Sequence, residues 1–328
     1  MTRTACLIYN PKSGQSDRQT TAQELAKIEA ILSEKLELEV QKTSEDVGAD
    51  LLAQQAIQRG VNSLIVAGGD GTVSAVVAAA AGTDIPVGVI ARGTANAFAV
   101  ALGIPTDLEG ACQTILDGHT WKIDAARCNG RPMALLAGIG FEAETIEETN
   151  RQAKHRWGIF AYIFTAFKKL SDFKPFTVEI ITDTQIIRSY SARAVTIANA
   201  APPTSVLAHG PAGIIYDDGL LDVTLVAPKN WINSLLASYH LFFTALQEKA
   251  AERPDVGYLR AKKLRVLTDT PQEVVVDGEL FGTTPLVAEC IPGGLTIFMP
   301  LRSLQDRSHV RPARNRLLLR LFPGLGKS

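Results

Sequence analysis

Leu64-Ile65-Val66-Ala67-Gly68-Gly69-Asp70-Gly71-Thr72 is the stretch that decides how the first third of this chain folds. Residues 64–67 are a continuous apolar run, the pattern of a strand buried on both faces. Residues 73–81 continue as an apolar helix closed by Gly82. Three glycines let the backbone turn sharply between the two elements. A helix that starts there presents its first N–H groups to phosphate oxygens. An aspartate in such a loop repels phosphate unless a divalent cation stands between them, so Asp70 points to a magnesium-bound nucleotide. The competing reading is a tight strand-to-helix turn in which Asp70 only caps the helix. The loop is not a Walker A motif, since no GxxxxGK[ST] occurs in the chain.

The same alternation repeats on both sides. Residues 5–9 are a short apolar run that ends in Asn10-Pro11-Lys12-Ser13-Gly14, a loop signal. Ala22, Leu25, Ala26, Glu29 and Leu32 follow at helical spacing, and Leu38-Glu39-Val40 reads as a second strand ending near Thr43. Ala49, Leu52, Ala53, Ala56 and Ile57 form a helical stripe stopped at Gly60. Residues 86–90 are another buried strand, followed by Arg92-Gly93-Thr94-Ala95-Asn96 and a helix near residues 95–102. Strands alternating with helices predict an open parallel α/β sheet, and such sheets bind ligands outside the carboxyl ends of their strands. Three polar loops at one such edge predict a nucleotide site.

From about Lys122 the texture changes. Residues 176–181, 194–197, 221–226, 263–267 and 273–276 are short runs rich in β-branched residues. Turn signals separate them, among them Asp218-Gly219, Asp277-Gly278 and Gly293-Gly294. Two helical patterns interrupt them, near residues 156–169 and 231–247. These features predict a β-rich, sandwich-like second domain of antiparallel strands. The expected divisions are an α/β nucleotide-binding domain at 1–125, a β-rich lipid or substrate domain at 126–301 whose last strands are free to return to the first, and a tail at 302–328.

Apolar residues at 46% and charged residues at 20% of a 328-residue chain describe globular domains rather than a disordered chain. A net charge of -1 supplies no basic field for nucleic acid. Cys6, Cys112, Cys128 and Cys290 form no CxxC pair, which argues against a zinc site or a redox dithiol and fits a reducing compartment. No signal-peptide pattern opens the chain, and its longest near-apolar stretch, residues 157–167, falls short of the roughly 20 residues a bilayer requires. A cytoplasmic protein is expected, with peripheral contact at the inner membrane surface left open.

The three loops are joined by Gly93-Thr94-Ala95-Asn96-Ala97-Phe98-Ala99-Val100-Ala101-Leu102-Gly103-Ile104-Pro105, by Asp124, by Asp218-Gly219-Leu220-Leu221-Asp222-Val223 and by Asp277-Gly278-Glu279. In this order and spacing, from residue 10 to 279, the chain resembles the diacylglycerol kinase catalytic-domain family, which includes bacterial lipid kinases and the sphingosine and ceramide kinases. The glycine–aspartate loop by itself is shared with NAD kinases and phosphofructokinases. The resemblance implies an open parallel-sheet nucleotide domain of that kind plus a β-rich domain, with an ATP site in the cleft between them. It implies ATP and Mg2+ as cofactors and transfer of the γ-phosphoryl group to a hydroxyl of diacylglycerol or a related lipid. The implied nucleotide contacts are Asn10-Pro11-Lys12-Ser13-Gly14, Thr43, Gly68-Gly69-Asp70-Gly71-Thr72-Val73-Ser74-Ala75, Thr94 and Asn96, with Asp70 organising magnesium through water.

The resemblance also makes Glu279 the general base, with Asp124 as an acidic neighbour that raises its pKa. Read locally, Asp277-Gly278 is a hairpin turn and Glu279 a solvated residue after it. In related bacterial enzymes the turn before residue 221 holds a structural magnesium. Carried over, its ligands are the Asp218 side chain and the carbonyls of Ile215 and Leu220.

One departure stands out. The family commonly has aspartate after the asparagine of this segment, where this chain has Ala97. A catalytically weak or inactive regulator that binds nucleotide or lipid is therefore kept beside the lipid kinase. An NAD kinase is the third reading, against which the segments 93–105 and 277–279 stand. In the tail, Arg302, Arg307, Arg311, Arg314, Arg316, Arg320 and Lys327 stand against the single acid Asp306, and Leu317, Leu318, Leu319, Leu321, Phe322 and Leu325 are interleaved with the later cations. That pattern suits an anionic membrane surface as well as a helix packed on the fold or a solvated end. A homo-oligomer also stays open.

Overall fold

The computed structural model describes residues 3–14, 18–140, 175–202, 205, 208, 214–227 and 255–301. The expected helical patterns near 156–169 and 231–247 and the tail 302–328 lie outside the described residues. The chain divides into two compact units, one built from residues up to Ala125 together with the segment from Pro292, the other from Ala126–Ile291.

The first unit alternates strand and helix: β1 (Arg3–Tyr9), α1 (Arg18–Leu32), β2 (Leu36–Lys42), α2 (Ala49–Gln58), β3 (Ser63–Gly68), α3 (Asp70–Ala80), β4 (Val87–Ala91), α4 (Ala97–Leu102) and α5 (Leu108–Asp117). The strands pair in parallel in the order β2-β1-β3-β4, with Leu7 opposite Val40 and Ile65 and with Val66 opposite Val89. Every residue of β3 is buried, as its unbroken apolar run predicts. One face of the sheet joins Ala5, Leu7 and Tyr9 to Leu25, Ile28 and Leu32 of α1 and to Cys112 and Ile115 of α5. Each fully buried Leu or Ile there contributes about 1.5–3 kcal/mol. Helices α2 and α3 pack on each other, α2 against β1 and α3 against β3 and β4. Helix α5 approaches β4 closely, since a Cβ on Gly88 would lie 2.7 Å from Ile115 Cδ1.

Because β2 and β3 flank β1 on opposite sides, the chain reverses its winding at β1. The helices that follow β1 and β3 therefore leave the carboxyl edge toward opposite faces of the sheet, and this switch point is where open α/β sheets take ligands.

The second unit is a sandwich. One sheet has the order β12-β11-β10-β7-β14-β15, from β7 (Leu136–Gly140), β10 (Ala194–Ala198), β11 (Leu221–Val226), β12 (Val256–Ala261), β14 (Glu273–Val276) and β15 (Glu279–Thr283). Its paired strands are antiparallel. The opposing strands are β8 (Phe176–Thr182), β9 (Ile186–Ala192), β13 (Lys263–Thr268) and the first part of β16 (Leu286–Phe298), also antiparallel. Ile139, Ile197, Val223 and Val276 from one sheet meet Val178, Ile180, Leu264 and Leu286 from the other in one apolar core. A short hairpin joins the end of β5 (Thr120–Cys128) to β6 (Arg131–Met133).

Gly293-Gly294, expected to separate strands, lies inside β16. Gly293 adopts a φ of 60°, a left-handed kink that glycine tolerates, so the strand bends and continues instead of turning back. Beyond the kink, Ile297 pairs in parallel with Val87 of β4.

Candidate functional site

The loop after β1 is an Asx turn. Asn10 Oδ1 accepts from Lys12 N–H at 2.9 Å, and Asn10 Nδ2 donates to Thr72 Oγ1 at 2.8 Å. Ser13 Oγ accepts from Gly69 N–H at 3.0 Å, so the first loop is bonded directly to the start of α3. Thr43 N–H donates to Tyr9 O at 3.0 Å, which brings the end of β2 to the same edge.

Helix α3 opens at Asp70 on the N-cap residue Gly69, which has no side chain to cap it. Its first N–H groups have no partner within the helix and point outward with the positive end of its dipole. A Cβ on Gly69 would lie 3.5 Å from Gly93 Cα and 3.8 Å from Ser13 Oγ, while one on Gly71 would meet nothing within 4 Å. Those are ordinary contacts, whereas a Cβ on Gly93 would lie 3.0 Å from Gly69 Cα, so the near approach of the two backbones favours glycine at Gly93, and Gly71 faces open space. Asp70 Oδ1 lies 3.5 Å from the N–H of Phe98, a weak contact with the start of α4.

The third loop is held from within. Asn96, at a left-handed φ of 49°, turns its Oδ1 back onto Gly93 N–H at 2.7 Å. Arg92 N–H donates to Gly68 O at 2.8 Å, and its guanidinium donates to Asn10 O at 2.8 Å. The structure therefore brings Asn10, Ser13, Gly14, Thr43, Gly68–Thr72, Thr94 and Asn96 to one edge of the first unit. Lys12 is exposed and paired with exposed Glu45, a contact that water and salt screen. Val73 turns its side chain into the core; Ser74 and Ala75 are half-buried on the second turn of α3.

Asp124 lies on β5 in the first unit, buried, with Oδ1 accepting from Gly293 N–H at 2.8 Å. Glu279 belongs to the second unit and is exposed at the first position of β15. Its place is set by Asp277, which occupies the β14–β15 turn at a φ of 52°. The Asp277 carboxylate accepts from the N–H groups of Ala134 at 2.7 Å, Leu135 at 2.8 Å and Leu136 at 3.1 Å, and Asp277 N–H donates to Leu136 O at 2.9 Å. Burial pushes this carboxyl up from its ordinary value, against the pull of those three donors. Asn199 N–H and Ala200 N–H both donate to Leu135 O, bracing the same segment from the end of β10.

Asp218 sits in the turn before β11, with Ile215 and Leu220 beside it. Its Oδ1 accepts from Leu220 N–H at 3.2 Å, and Oδ2 lies 2.6 Å from Arg260 Nη2. Arg260 Nε also donates to Asp222 Oδ1 at 2.9 Å, and the Tyr258 hydroxyl donates to the same oxygen. Among the described residues the buried Asp222 Oδ2 meets no hydrogen-bond partner, and desolvation raises the Asp222 carboxyl to about 6. Asp218 and Asp222 thus both face the Arg260 guanidinium. A carboxylate oxygen beside backbone carbonyls is the all-oxygen donor set that a hard cation takes, so the Asp218 turn fits one by chemistry.

Arg92, Asp277, Asn199 and the Tyr258–Asp222–Arg260 group were not singled out by sequence. Arg92, Asp222 and Asp277 lie inside quoted motifs, but their partners are remote in the chain.

Two family models cover most of the chain: a diacylglycerol kinase catalytic domain over residues 4–128, and a YegS C-terminal NAD kinase beta sandwich-like domain over residues 136–299. An uncharacterized protein of Synechocystis sp. is 42% identical over 313 residues, covering 92% of this chain and 71% of that one. A diacylglycerol kinase of Staphylococcus epidermidis is 30% identical over 304 residues, covering 92% and 93%. A crystal structure of a diacylglycerol kinase from Bacillus anthracis superposes with a TM-score of 0.70 at 25% identity, covering 92% of this chain and 98% of that one.

Proposed function

The chain belongs to the diacylglycerol kinase family, and from that premise we propose that it transfers the γ-phosphoryl group of ATP to a hydroxyl of diacylglycerol or a closely related membrane lipid. The observation that carries this reading is the convergence of three loops, after β1, β3 and β4, on the uncapped start of α3. Backbone donors fixed in that position meet phosphate oxygens without reorganising, which is the main contribution a protein makes to phosphoryl transfer. Asn10, Ser13 and Gly69–Thr72 form the cradle, Lys12 can leave Glu45 for a phosphate, and Asp70 stands where a magnesium–nucleotide needs a carboxylate. Magnesium supplies charge neutralisation on the phosphates.

Glu279 is the general base in this reading. Asp277 fixes the turn that carries it, and its exposure leaves it open to a lipid hydroxyl. Asp124 is the acid that the family pattern assigns to assist it. The Asp218 side chain, with the carbonyls of Ile215 and Leu220, holds a structural magnesium. The basic tail 302–328 is the proposed membrane contact. Among the described residues no helix is long and apolar enough to cross a membrane.

The test is γ-phosphoryl transfer from ATP and magnesium to a panel of lipids in mixed micelles, comparing the natural protein with Glu279→Gln. A phosphorylated lipid whose formation drops about 10²–10⁴-fold in the variant, the usual contribution of a positioned base, with ATP binding retained, supports the assignment. Transfer undiminished in the variant would remove Glu279 from its role.

A second reading follows from Ala97, which opens α4 next to Phe98, whose N–H lies 3.5 Å from Asp70 Oδ1, and which has a methyl group where the family pattern has a carboxylate. This is the reading of a weak kinase or a nucleotide-binding regulator. No transfer to any lipid, with ATP still bound, favours it, and recovery of transfer in Ala97→Asp then identifies the missing carboxylate as the cause.

A further inference from the structure

Arg92 stands immediately after β4, and its guanidinium is almost wholly withdrawn from water, the side chain being 6% exposed. From that position it reaches three separate segments. Nη1 donates to Asn10 O at 2.8 Å, in the loop after β1. Nε and Nη2 donate to Glu24 Oε2 of α1 at 3.1 and 2.6 Å. The guanidinium carbon lies 4.4 Å from the centroid of the Tyr9 ring, and the Tyr9 hydroxyl donates to Thr21 O of the same helix at 2.9 Å. The backbone N–H of Arg92 takes Gly68 O at 2.8 Å. One residue thus touches the ends of β1, β3 and β4 and the first helix.

A buried guanidinium is unfavourable unless its charge and its donors are met. Here Glu24 balances the charge, and the Asn10 carbonyl and the Tyr9 ring hold the plane of the group, so its rigid fork has one arrangement. A loop after a strand does not by itself call for this. A small residue would end β4 as well and would leave no ion pair to desolvate. What the arrangement does secure is Asn10. Its carbonyl is held by Arg92, its Nδ2 holds Thr72, and its turn carries Ser13 to Gly69.

We infer that Arg92 is a positioning residue of the nucleotide site, holding the β1 loop through Asn10 and Ser13 against the start of α3 so that the phosphate cradle is set before ligand arrives. The inference rests on the nucleotide reading of that cradle. Preorganisation of this kind shows in affinity, because a loop that must be ordered on binding weakens it.

The experiment compares the full chain with Arg92→Gln, Arg92→Lys and Glu24→Gln. It measures calorimetric affinity for ATP with magnesium in the absence of lipid, KM and kcat for ATP with lipid micelles, and Tm. Arg92→Gln is expected to weaken ATP binding about tenfold, the equivalent of one charge-assisted contact, with KM rising far more than kcat falls. Arg92→Lys keeps the charge but not the fork, so it restores Tm more than it restores affinity. Glu24→Gln leaves Arg92 in place but loosens it, with an expected loss of about threefold, a fraction of the same contact. Lower Tm with unchanged ATP affinity in the folded variants would mean a structural role and would overturn the inference. If Arg92→Gln does not fold, unchanged affinity in both of the other variants does the same. Natural protein that binds no ATP would sink the nucleotide reading, and this inference with it. Natural protein that binds ATP, with every variant binding equally well, would sink the inference alone.

Discussion

Replacing Asp277 by alanine removes one carboxylate and leaves three backbone donors behind. Ala134, Leu135 and Leu136 give their N–H groups to it at 2.7, 2.8 and 3.1 Å. A buried donor left unmet costs about 1–3 kcal/mol, and a turn this near the surface lets water reach some of them, so the net loss is about 3 kcal/mol. The φ of 52° adds about 1 kcal/mol more for alanine, which lacks the local hydrogen bonding that lets aspartate sit there. Asp277→Asn separates the two effects. Asparagine accepts this φ and keeps one oxygen, but its amide nitrogen faces an N–H, so a loss of about 2 kcal/mol is expected. Urea unfolding of the two variants measures both numbers. The rate of phosphoryl transfer should fall with them, because β15 begins two residues after Asp277 and carries Glu279. An Asp277→Ala protein within about 0.5 kcal/mol of the natural one, the scatter of ordinary surface substitutions, would refute the view that this carboxylate fastens the turn.

Three further outcomes can be checked. Burial raises the Asp222 carboxyl from 3.8 to about 6. A raised folded-state value means that this group's contribution is complete below pH about 4 and is lost as pH rises through about 6, a change of about 3 kcal/mol. Urea unfolding in EDTA should therefore show Asp222→Asn gaining on the natural protein over that window, and parallel profiles would refute it. Gly93→Ala puts a Cβ 3.0 Å from both Gly69 Cα and Asn96 Oδ1, so ATP affinity should fall about tenfold or more, as expected when cradle geometry shifts by tenths of an ångström. Unaltered affinity by calorimetry would show that the near contact of these loops is irrelevant to binding. All four cysteines are buried, and desolvation pushes the thiols of Cys6 and Cys112 up to about 11 and that of Cys128 to about 12. A disulfide reagent at pH 8 should titrate them only after denaturant is added, and rapid reaction of the native protein would contradict this burial.

The parts of the fold legible in the sequence are those written in local periodicity. The apolar run before Gly68, the helical stripe of α2 and the β-branched runs of β8, β10, β11, β13 and β14 each carry their own hydrophobic pattern, and the structure has an element at each. Helix α5 was not read, although Asp107 caps it by accepting from Gly110 N–H and Gly118 ends it in a left-handed turn. Its signals lie between the quoted segment 93–105 and Asp124, in residues that belong to neither. Gly293-Gly294 was read as a turn because glycine pairs usually are. The hydrogen bond from Gly293 to Asp124, 169 residues away, belongs to a strand that continues through it.

What the sequence determined by itself about the site was its chemistry: which loops carry glycine, asparagine and aspartate, and that they follow strands whose carboxyl ends share an edge. Only the tertiary structure decided what holds those loops. The contact of Arg92 with Glu24 spans 68 residues and that of Asp277 with Ala134 spans 143. Side-chain periodicity reports which face of an element is buried, because burial is a property each residue shares with its near neighbours in the chain. A hydrogen bond or ion pair depends on two particular atoms meeting within about 3 Å. That meeting is set by strand order and register, which no single segment contains.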